Sequence, residues 1–525
     1  MSLFKSVAAF GGITLISRLT GFVRDMFLAN FLGAGAVSDA FFVAFKLPNL
    51  FRNLFAEGAF TSAFVPMLSH KLVSEDKEKA LHFASQAISI LAFVLFLLVL
   101  LMEIIMPWVT PLLAPGFITK GGDIALATQL SRITFPFLFF VSVVSFQSGV
   151  LNSFGKFAAP AAASIILNLT MIASVFMFVP FSITPAHGMA WGVFIAGILE
   201  IIWLSFFLRQ ESISLRPDYH LLNIFCNPDI RTLFRRIAPG ILGAGVYQIN
   251  MVVDTILVSL VGAGAISWLY YANRLQQLPL GVVGASISVA LLPILSRHIK
   301  AGEKAQAENT QNKAVEYGAL LSIPAAVALI VLADPIINLL FQHGRFGAFE
   351  TLMTSQAVIA YSVGLPFYVI VKALTPNFFA RGDTRTPVKY SIVVLIANLA
   401  FSLLLIKPFG HVGIASATTI AAFVSLYQYC HGLKKRGYWS FSRQLSIKIL
   451  KITLSSLVMG TVLILSQHAA DTYLGNWLDT PYLIKIPVFA ILCFISLISF
   501  AIMAKLTGVL DIMEIAAIIL KKGKK

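Results

Sequence analysis

The stretch "AISILAFVLFLLVLLMEIIM" (Ala87–Met106) carries one charged residue, Glu103, within a long apolar run. A helix needs ~20 mostly apolar residues to cross the hydrocarbon core of a bilayer, so this stretch predicts a transmembrane helix. A similar run, "IPVFAILCFISLISFAIMA" (Ile486–Ala504), lies near the end of the chain. Of the 525 residues, 58% are hydrophobic and 12% charged, which is more apolar surface than a soluble fold can hide. The sequence predicts an all-α polytopic membrane protein.

The hydrophobic segments number about fourteen, joined by short connections such as "APGF" (114–117) and "RGDTRTP" (381–387). An even number of spans places both termini on one side. If that side is the cytoplasm, most of the 39 Lys and Arg residues fall there, as the positive-inside rule requires. We therefore expect a multi-pass membrane protein with both termini cytoplasmic. The net charge of +16 follows from this bias and indicates no nucleic-acid partner.

An internal repeat organises these segments. The stretch "LGAGAVSDAFF" (Leu32–Phe42) returns as "VGAGAISWLYY" (Val261–Tyr271), 229 positions later, with Trp268 in place of Asp39. Two further matches, "VPMLS" with "LPILS" and "PAAASI" with "PVKYSI", lie 227 positions apart. Three matches in order at nearly one offset indicate a duplicated unit.

Each copy of the repeat contains six segments, so both copies insert in the same orientation. This arrangement predicts two six-helix lobes in a parallel pseudo-twofold repeat, with a cleft between them and alternating access to a central site. The predicted domains are the N-lobe (1–209), the C-lobe (232–433), a separate C-terminal helix pair (444–508) and a basic cytoplasmic tail (509–525).

Charged residues within the membrane segments mark the candidate binding site, since each costs ~2.5–3.5 kcal/mol at bilayer depth. Arg274 lies on the segment that the repeat pairs with segment 2, so we expect arginines of both lobes to meet across the cleft. Arginine binds phosphate through two parallel hydrogen bonds, which predicts an anionic, phosphorylated ligand. The candidate substrate-binding residues are Arg18, Arg24, Asp39, Lys46, Asn49, Arg52 and Arg274.

Simpler roles remain open for some of these charges. Arg24 could pair with Asp25 or Asp39, and Lys46 could extend its ammonium to the membrane surface. Asp254 is an isolated acid in segment 7 that needs either a cation or a hydrogen bond to a neighbouring helix.

Motifs of enzymes and cofactor sites are missing from the sequence. It contains no phosphate-binding loop, dinucleotide-binding turn or HExxH motif, and its three cysteines lack metal-ligand spacing. We therefore expect a protein that is not an enzyme and has no cofactor or metal. The short stretch "FQHGRF" (341–346) on the outer side is predicted to be a loop anchor or lid.

Long motifs resemble those of a known family. "SRLTGFVRDMFLANFLGAG" (17–35), "SWLYYANRLQQLPLGVVGAS" (267–286) and "YSVGLPFYVIVKALTPNFFARGDTRTPVK" (361–389) closely resemble the MurJ (MviN) family, the lipid II flippases of the MOP transporter superfamily. The resemblance implies that the substrate is lipid II, the undecaprenyl-diphosphate-linked disaccharide-pentapeptide that crosses the inner membrane for peptidoglycan synthesis, cell-wall biogenesis and maintenance of cell shape. Membrane lipids and cell-wall or divisome proteins are its expected partners.

The resemblance also implies residue roles. The functional charges of the family fall on Arg18, Arg24, Asp39, Arg52 and Arg274. We expect Arg24, Arg52 and Arg274 to converge on the diphosphate, with Arg18 nearby and Asp39 orienting one guanidinium. The C-terminal pair would form an apolar groove for the lipid tail.

The resemblance also bears on the lipid tail, the driving force and the surroundings of Arg274. Small residues such as Gly460 would let the lipid tail lie close to segment 13. The driving force would be sodium or the membrane potential, and Asp254 sits where some relatives place a cation ligand. Asn273 and Gln277 replace acids that several relatives carry beside Arg274, which leaves this arginine freer for a phosphate.

Other functions would make different demands on the charged cleft. A flippase for another polyprenyl-linked saccharide would share the charged cleft. A MATE-like drug or cation exporter should line its cleft with carboxylates, whereas this cleft is rich in arginine. A non-transporting scaffold of the cell-wall machinery would have no reason to keep charges within the membrane.

Overall fold

The computed structural model describes residues 3–52, 60–215, 218, 224 and 227–509. Within this part of the chain every regular element is a helix, so the predicted all-α membrane fold is confirmed. Among the described residues, ten helical stretches are long and apolar enough to cross a membrane. The predicted count of fourteen is not confirmed, and the basic tail from residue 510 onward lies outside the described residues.

The chain forms two compact units. Unit 1 comprises Met1–Ser267 together with the short segment His343–Phe346, and unit 2 comprises Trp268–Gln342 and Gly347–Lys525. The helix Pro228–Ser259, which the repeat assigns to the C-lobe, is therefore grouped with unit 1. The lobes as functional domains stay a prediction.

Unit 1 is built from helices whose cores are rich in phenylalanine. Phe64 packs on Phe146 with ring centroids 4.5 Å apart and on Phe83 at 5.9 Å, so that three helices share one aromatic cluster. The helices are α1 (Leu3–Leu32), α2 (Ala36–Phe51), α3 (Thr61–Ser74), α4 (Lys77–Leu113), α5 (Gly116–Thr119), α6 (Ile124–Thr134), α7 (Phe137–Ser153), α8 (Ala158–Met177), α9 (Pro185–Gln210) and α10 (Pro228–Ser259).

Unit 2 contains the longest of the described helices, Arg385–Lys435. Gly410 adopts a φ of +55° within this helix, which favours glycine and breaks the helix between predicted segments 386–407 and 410–433. The helices are α11 (Ala265–Pro279, whose first residues belong to unit 1), α12 (Ala285–Lys300), α13 (Lys304–Val331), α14 (Ala333–Phe341), α15 (Ala348–Phe379), α16 (Arg385–Lys435), α17 (Arg443–Leu474) and α18 (Tyr482–Leu506).

The C-terminal pair α17–α18 is attached to α13 along its length. Gly460 is buried, and a Cβ atom added there would lie 2.7 Å from Val327 Cγ1. The interpretation that Gly460 leaves room for a lipid tail is therefore wrong, because the missing side chain makes room for α13. The Lys448–Glu316 ion pair at 2.8 Å adds a second point of attachment between the same helices.

The connection between α15 and α16 is fixed by Asp383. Its carboxylate accepts hydrogen bonds from Thr386 N at 3.0 Å and Thr386 Oγ1 at 2.7 Å, and it forms an ion pair with Arg436 Nη1 at 2.9 Å. The Thr386 backbone and side chain, helped by the charge of Arg436, hold the pKa of Asp383 below its ordinary value. The charged carboxylate therefore caps the start of α16 and ties it to its own C-terminal end.

This cap predicts a pH-dependent contribution to stability. Because the pKa of Asp383 is lower in the folded protein, its contribution is present above the ordinary carboxylate pKa of ~3.9 and is lost as the pH falls through the folded value. We expect Asp383→Asn to lower the melting temperature at pH 7, with a difference from the parent that shrinks towards pH 3. A difference that stays constant across this range would contradict the assignment.

Candidate substrate-binding site

Arg24 lies on α1 and is 5% exposed. Its Nη2 donates to Asp25 Oδ1 at 2.8 Å and its Nε to the same oxygen at 3.1 Å. Its Nη1 donates to Asn168 Oδ1 on α8 at 3.0 Å. The pairing of Arg24 with Asp25, one of the two simpler roles considered from the sequence, is therefore present.

Asn168 is a site residue that the sequence analysis missed. It is 5% exposed, and its Nδ2 donates to Ser17 O at 3.0 Å and to Thr20 Oγ1 at 3.2 Å. A Cβ atom at Gly21 would lie 3.3 Å from this nitrogen, so the glycine lets α8 approach α1 closely. An asparagine within an otherwise apolar span was the available signal.

Pro48 shapes the end of α2. Because proline has no N–H, the carbonyl of Ala44 loses its partner in the helix, and Thr134 Oγ1 donates to it at 2.9 Å instead. Asn49 Nδ2 donates to the next carbonyl, Phe45 O, at 2.7 Å. Asn49 therefore has a structural partner in its own helix, and Arg52 follows at the half-buried C-terminal end of α2.

Lys46 faces α10. Its ammonium donates to Thr255 Oγ1 at 2.9 Å and interacts with the charge of Asp254. Asp254 Oδ2 also accepts a hydrogen bond from Asn250 Nδ2 at 3.1 Å, one turn earlier on the same helix. A small apolar pocket surrounds this contact, and Leu47 lines it. Lys46 thus has a hydrogen-bond partner within unit 1.

Asp39 is fully buried and caps the start of α11. Its Oδ2 accepts from Gly264 N at 2.6 Å, and its Oδ1 accepts from Ser267 N at 2.8 Å and Ser267 Oγ at 2.5 Å. A carboxylate at the N-terminus of a helix satisfies free N–H groups and complements the helix dipole. These donors are backbone and hydroxyl groups, whereas we had expected a guanidinium, and the role of Asp39 in substrate binding stays a prediction.

The two copies of the repeat meet at this cap. Ser38 Oγ and Ser267 Oγ, which are repeat equivalents 229 positions apart, lie within 2.7 Å of each other. The following position differs between the copies, since Asp39 corresponds to Trp268. One copy therefore supplies the capping carboxylate, and the other supplies the helix start that it caps.

Arg274 belongs to unit 2 and is half-buried. Its Nη2 donates to Tyr270 Oη at 2.8 Å, and its guanidinium lies 4.9 Å from the centroid of that ring. Gln277 donates to Asn273, so the two residues that replace acids pair with each other. Convergence of Arg274 with the arginines of unit 1 stays a prediction, and Arg18 is exposed on α1.

Comparison with known proteins identifies the family. The sequence profile described as "Lipid II flippase MurJ" matches residues 28–482. A protein of Rhizobium tropici named "Probable lipid II flippase MurJ" is 36% identical over 519 residues, covering 98% of this chain and 96% of the relative. The chain belongs to the MurJ family. A Rickettsia prowazekii protein with the same name is 35% identical and covers 90% of this chain and 92% of its own.

Solved structures agree with the MurJ assignment. A structure described as "Lipid II flippase MurJ, inward closed conformation" has a TM-score of 0.79 and 28% identity, covering 95% of this chain and 98% of the other. An inward-facing multidrug resistance MATE family transporter of the MOP superfamily has a TM-score of 0.66 but 15% identity, so it shows the fold alone. The resemblance to the MurJ family of lipid II flippases is confirmed.

The charged residues described above fall into two groups according to their burial. Arg24 and Asp39 are buried with protein partners, so they organise α1, α2 and the start of α11. Lys46, Arg52 and Arg274 are half-buried and retain exposed surface through which a ligand could approach them. Direct contact of Lys46, Arg52 or Arg274 with an anion stays a prediction.

Proposed function

We propose that this protein carries lipid II from the cytoplasmic to the periplasmic leaflet of the inner membrane by alternating access, with both termini in the cytoplasm. The observation that carries the proposal is the match to relatives named as lipid II flippases along nearly the whole length of both chains. The cationic character of the site agrees with it, since the diphosphate of lipid II is anionic. Cell-wall or divisome partners stay an expectation.

Within this proposal, Arg52 and Arg274 bind the diphosphate, with Lys46 and Asn49 near it and Arg18 at the exposed approach. Arg24 is already held by Asp25 and Asn168. A buried pair of this kind costs several kcal/mol to break by removing one partner, so it acts first as a scaffold. A substrate oxygen that binds Arg24 would share the guanidinium with the carboxylate of Asp25.

Equilibrium binding tests the choice of substrate. Purified protein in nanodiscs is titrated with lipid II, with undecaprenyl diphosphate bearing a different saccharide, and with a lipophilic organic cation. We expect lipid II to bind at least tenfold more tightly than the other saccharide, and the cation not to compete. Equal affinity for both saccharides would favour a less specific flippase, and competition by the cation would favour an exporter.

The driving force is proposed to be the membrane potential. Asp254 offers one carboxylate, which already accepts from Asn250 and lies near the ammonium of Lys46. A hard cation binds best in a cage of several oxygen ligands, and the nearby ammonium of Lys46 opposes its binding, which favours the membrane potential over sodium coupling at Asp254. Asp254 is better suited to neutralising Lys46.

This assignment predicts the response to ions. We expect replacement of sodium by potassium to leave lipid II transport in proteoliposomes unchanged, and collapse of the membrane potential to slow it. Asp254→Asn should slow transport because it removes the charge that compensates the ammonium of Lys46. Transport that stops in the absence of sodium would contradict the proposal.

A further inference from the structure

The segment His343–Phe346 is a loop that packs on the end of α1. Arg345 N donates to Asn30 O at 2.9 Å, and Phe346 N donates to His343 O at 3.0 Å. Gly344 has a φ of +56°, and a side chain there would collide with Asn30. These four residues belong to unit 1, whereas the residues on both sides of them belong to unit 2.

The hydroxyl group of Thr351 links the two ends of this loop. Thr351 Oγ1 lies 2.8 Å from Gln342 Oε1 and 2.9 Å from Gly347 O, the residues that immediately precede and follow the loop. Thr351 is 3% exposed, so the hydroxyl proton serves these acceptors out of contact with water. We call Gln342, Gly347 and Thr351 the neck of the loop.

A buried lysine of the C-terminal helix pair reaches the neck through one asparagine. Lys485 Nζ donates to Asn338 Oδ1 at 2.8 Å, and Asn338 Nδ2 donates to Gln342 Oε1 at 2.8 Å. Lys485 is 7% exposed and Asn338 is 5% exposed. The ammonium also lies 5.2 Å from the centroid of the Tyr482 ring.

The hydrogen bonds from Lys485 through Asn338 to Gln342 can run from donor to acceptor in one direction. An ammonium can only donate, so the Asn338 oxygen must face Lys485 and its NH₂ group must face Gln342. The Gln342 oxygen then faces both Asn338 and Thr351. One cation on α18 therefore sets the orientation of two amides and supplies the acceptor that Thr351 uses at the neck.

We propose that Lys485 is a positioning residue for the loop His343–Phe346, acting through Asn338 and Gln342 on the neck. The C-terminal pair thereby controls whether the loop can stay packed on α1, and a displacement of α18 would release it. This inference goes beyond the proposed function, because it concerns the loop whichever lipid is carried.

Asn338→Asp separates this role from packing. The carboxylate keeps the contact with Lys485 and adds an ion pair, but it has no donor for Gln342. Gln342 must then turn its NH₂ group towards residue 338, and the Thr351 hydroxyl can no longer donate to residue 342 but only accept from that NH₂ group while it donates to Gly347 O. We expect the Arg345 amide, measured by hydrogen exchange of the intact protein, to exchange about 3- to 10-fold faster, with an unchanged melting temperature.

Three further variants complete the test. Lys485→Met should also accelerate exchange at Arg345, and Lys485→Arg, which keeps a cationic donor, should preserve the parent rate. Lys448→Met is the matched control, because it removes the Lys448–Glu316 pair of the same C-terminal helices at 2.8 Å and leaves the neck intact. Parent-like exchange in both Asn338→Asp and Lys485→Met would overturn the proposal, as would equal acceleration in Lys448→Met.

Discussion

Arg52→Lys and Arg274→Lys are each expected to weaken lipid II binding roughly 10- to 150-fold. Lysine keeps the positive charge but loses the planar pair of donors that matches a phosphate. Hydrogen bonds to charged groups are worth ~1.5–3 kcal/mol, and each 1.4 kcal/mol corresponds to about a tenfold change in affinity. Alanine at either position should weaken binding further, because the charge is lost as well.

Lipid II affinity and the abundance of the protein in the membrane are both measured on the same preparations of each variant. Arg443→Lys is the control, since Arg443 is exposed at the start of α17 and has no place in the proposed site. If the arginines only hold helices together, the Lys variants should instead show lower abundance or melting temperature at parent-like affinity. Normal affinity in both variants would remove Arg52 and Arg274 from the diphosphate site.

Asp39→Ala is expected to destabilise the protein and to stop transport. The carboxylate receives three hydrogen bonds from Gly264 and Ser267, all of them buried. Each buried donor left without a partner costs ~1–3 kcal/mol, so their combined loss is large for a protein of ordinary stability. Asp39→Asn should lie between the parent and alanine, because its NH₂ group would face one of the N–H donors.

Ser267→Ala is the matched control for this cap. It removes the hydroxyl group but leaves both backbone N–H groups bonded to Asp39, so its effect on melting temperature and transport should be the smallest of the three. Equal melting temperatures for Asp39→Ala, Ser267→Ala and the parent would show that the cap contributes nothing to stability.

The sequence predicts the helical membrane fold well because the signal is local. A long apolar run such as Ala87–Met106 can be recognised without its neighbours, because a helix needs ~20 apolar residues to cross the membrane. Gly and Pro mark breaks between helices, such as the one at Gly410. The pairing of Arg24 with Asp25 was also visible, since the two residues are adjacent. Its second partner, Asn168, lies 144 positions away and was not.

The charged site was harder to predict because one residue type serves several roles. An isolated aspartate within a membrane segment predicts a partner, but the partners of Asp39 are backbone N–H groups 225 and 228 positions away. Gly460 likewise signals close approach, yet the sequence does not reveal whether a helix or a lipid approaches. The neck of the loop depends on side chains from three helices, which no local pattern joins.

Movement of lipid II across a membrane is the activity proposed for this chain. The most direct test measures the fraction of fluorescent lipid II that becomes accessible in the opposite leaflet of proteoliposomes with an imposed membrane potential. We expect rapid transfer with the parent protein, slow transfer with Arg52→Lys and Arg274→Lys, and parent-like transfer with Arg443→Lys. Transfer by the parent protein at the rate of protein-free vesicles would contradict the proposed activity.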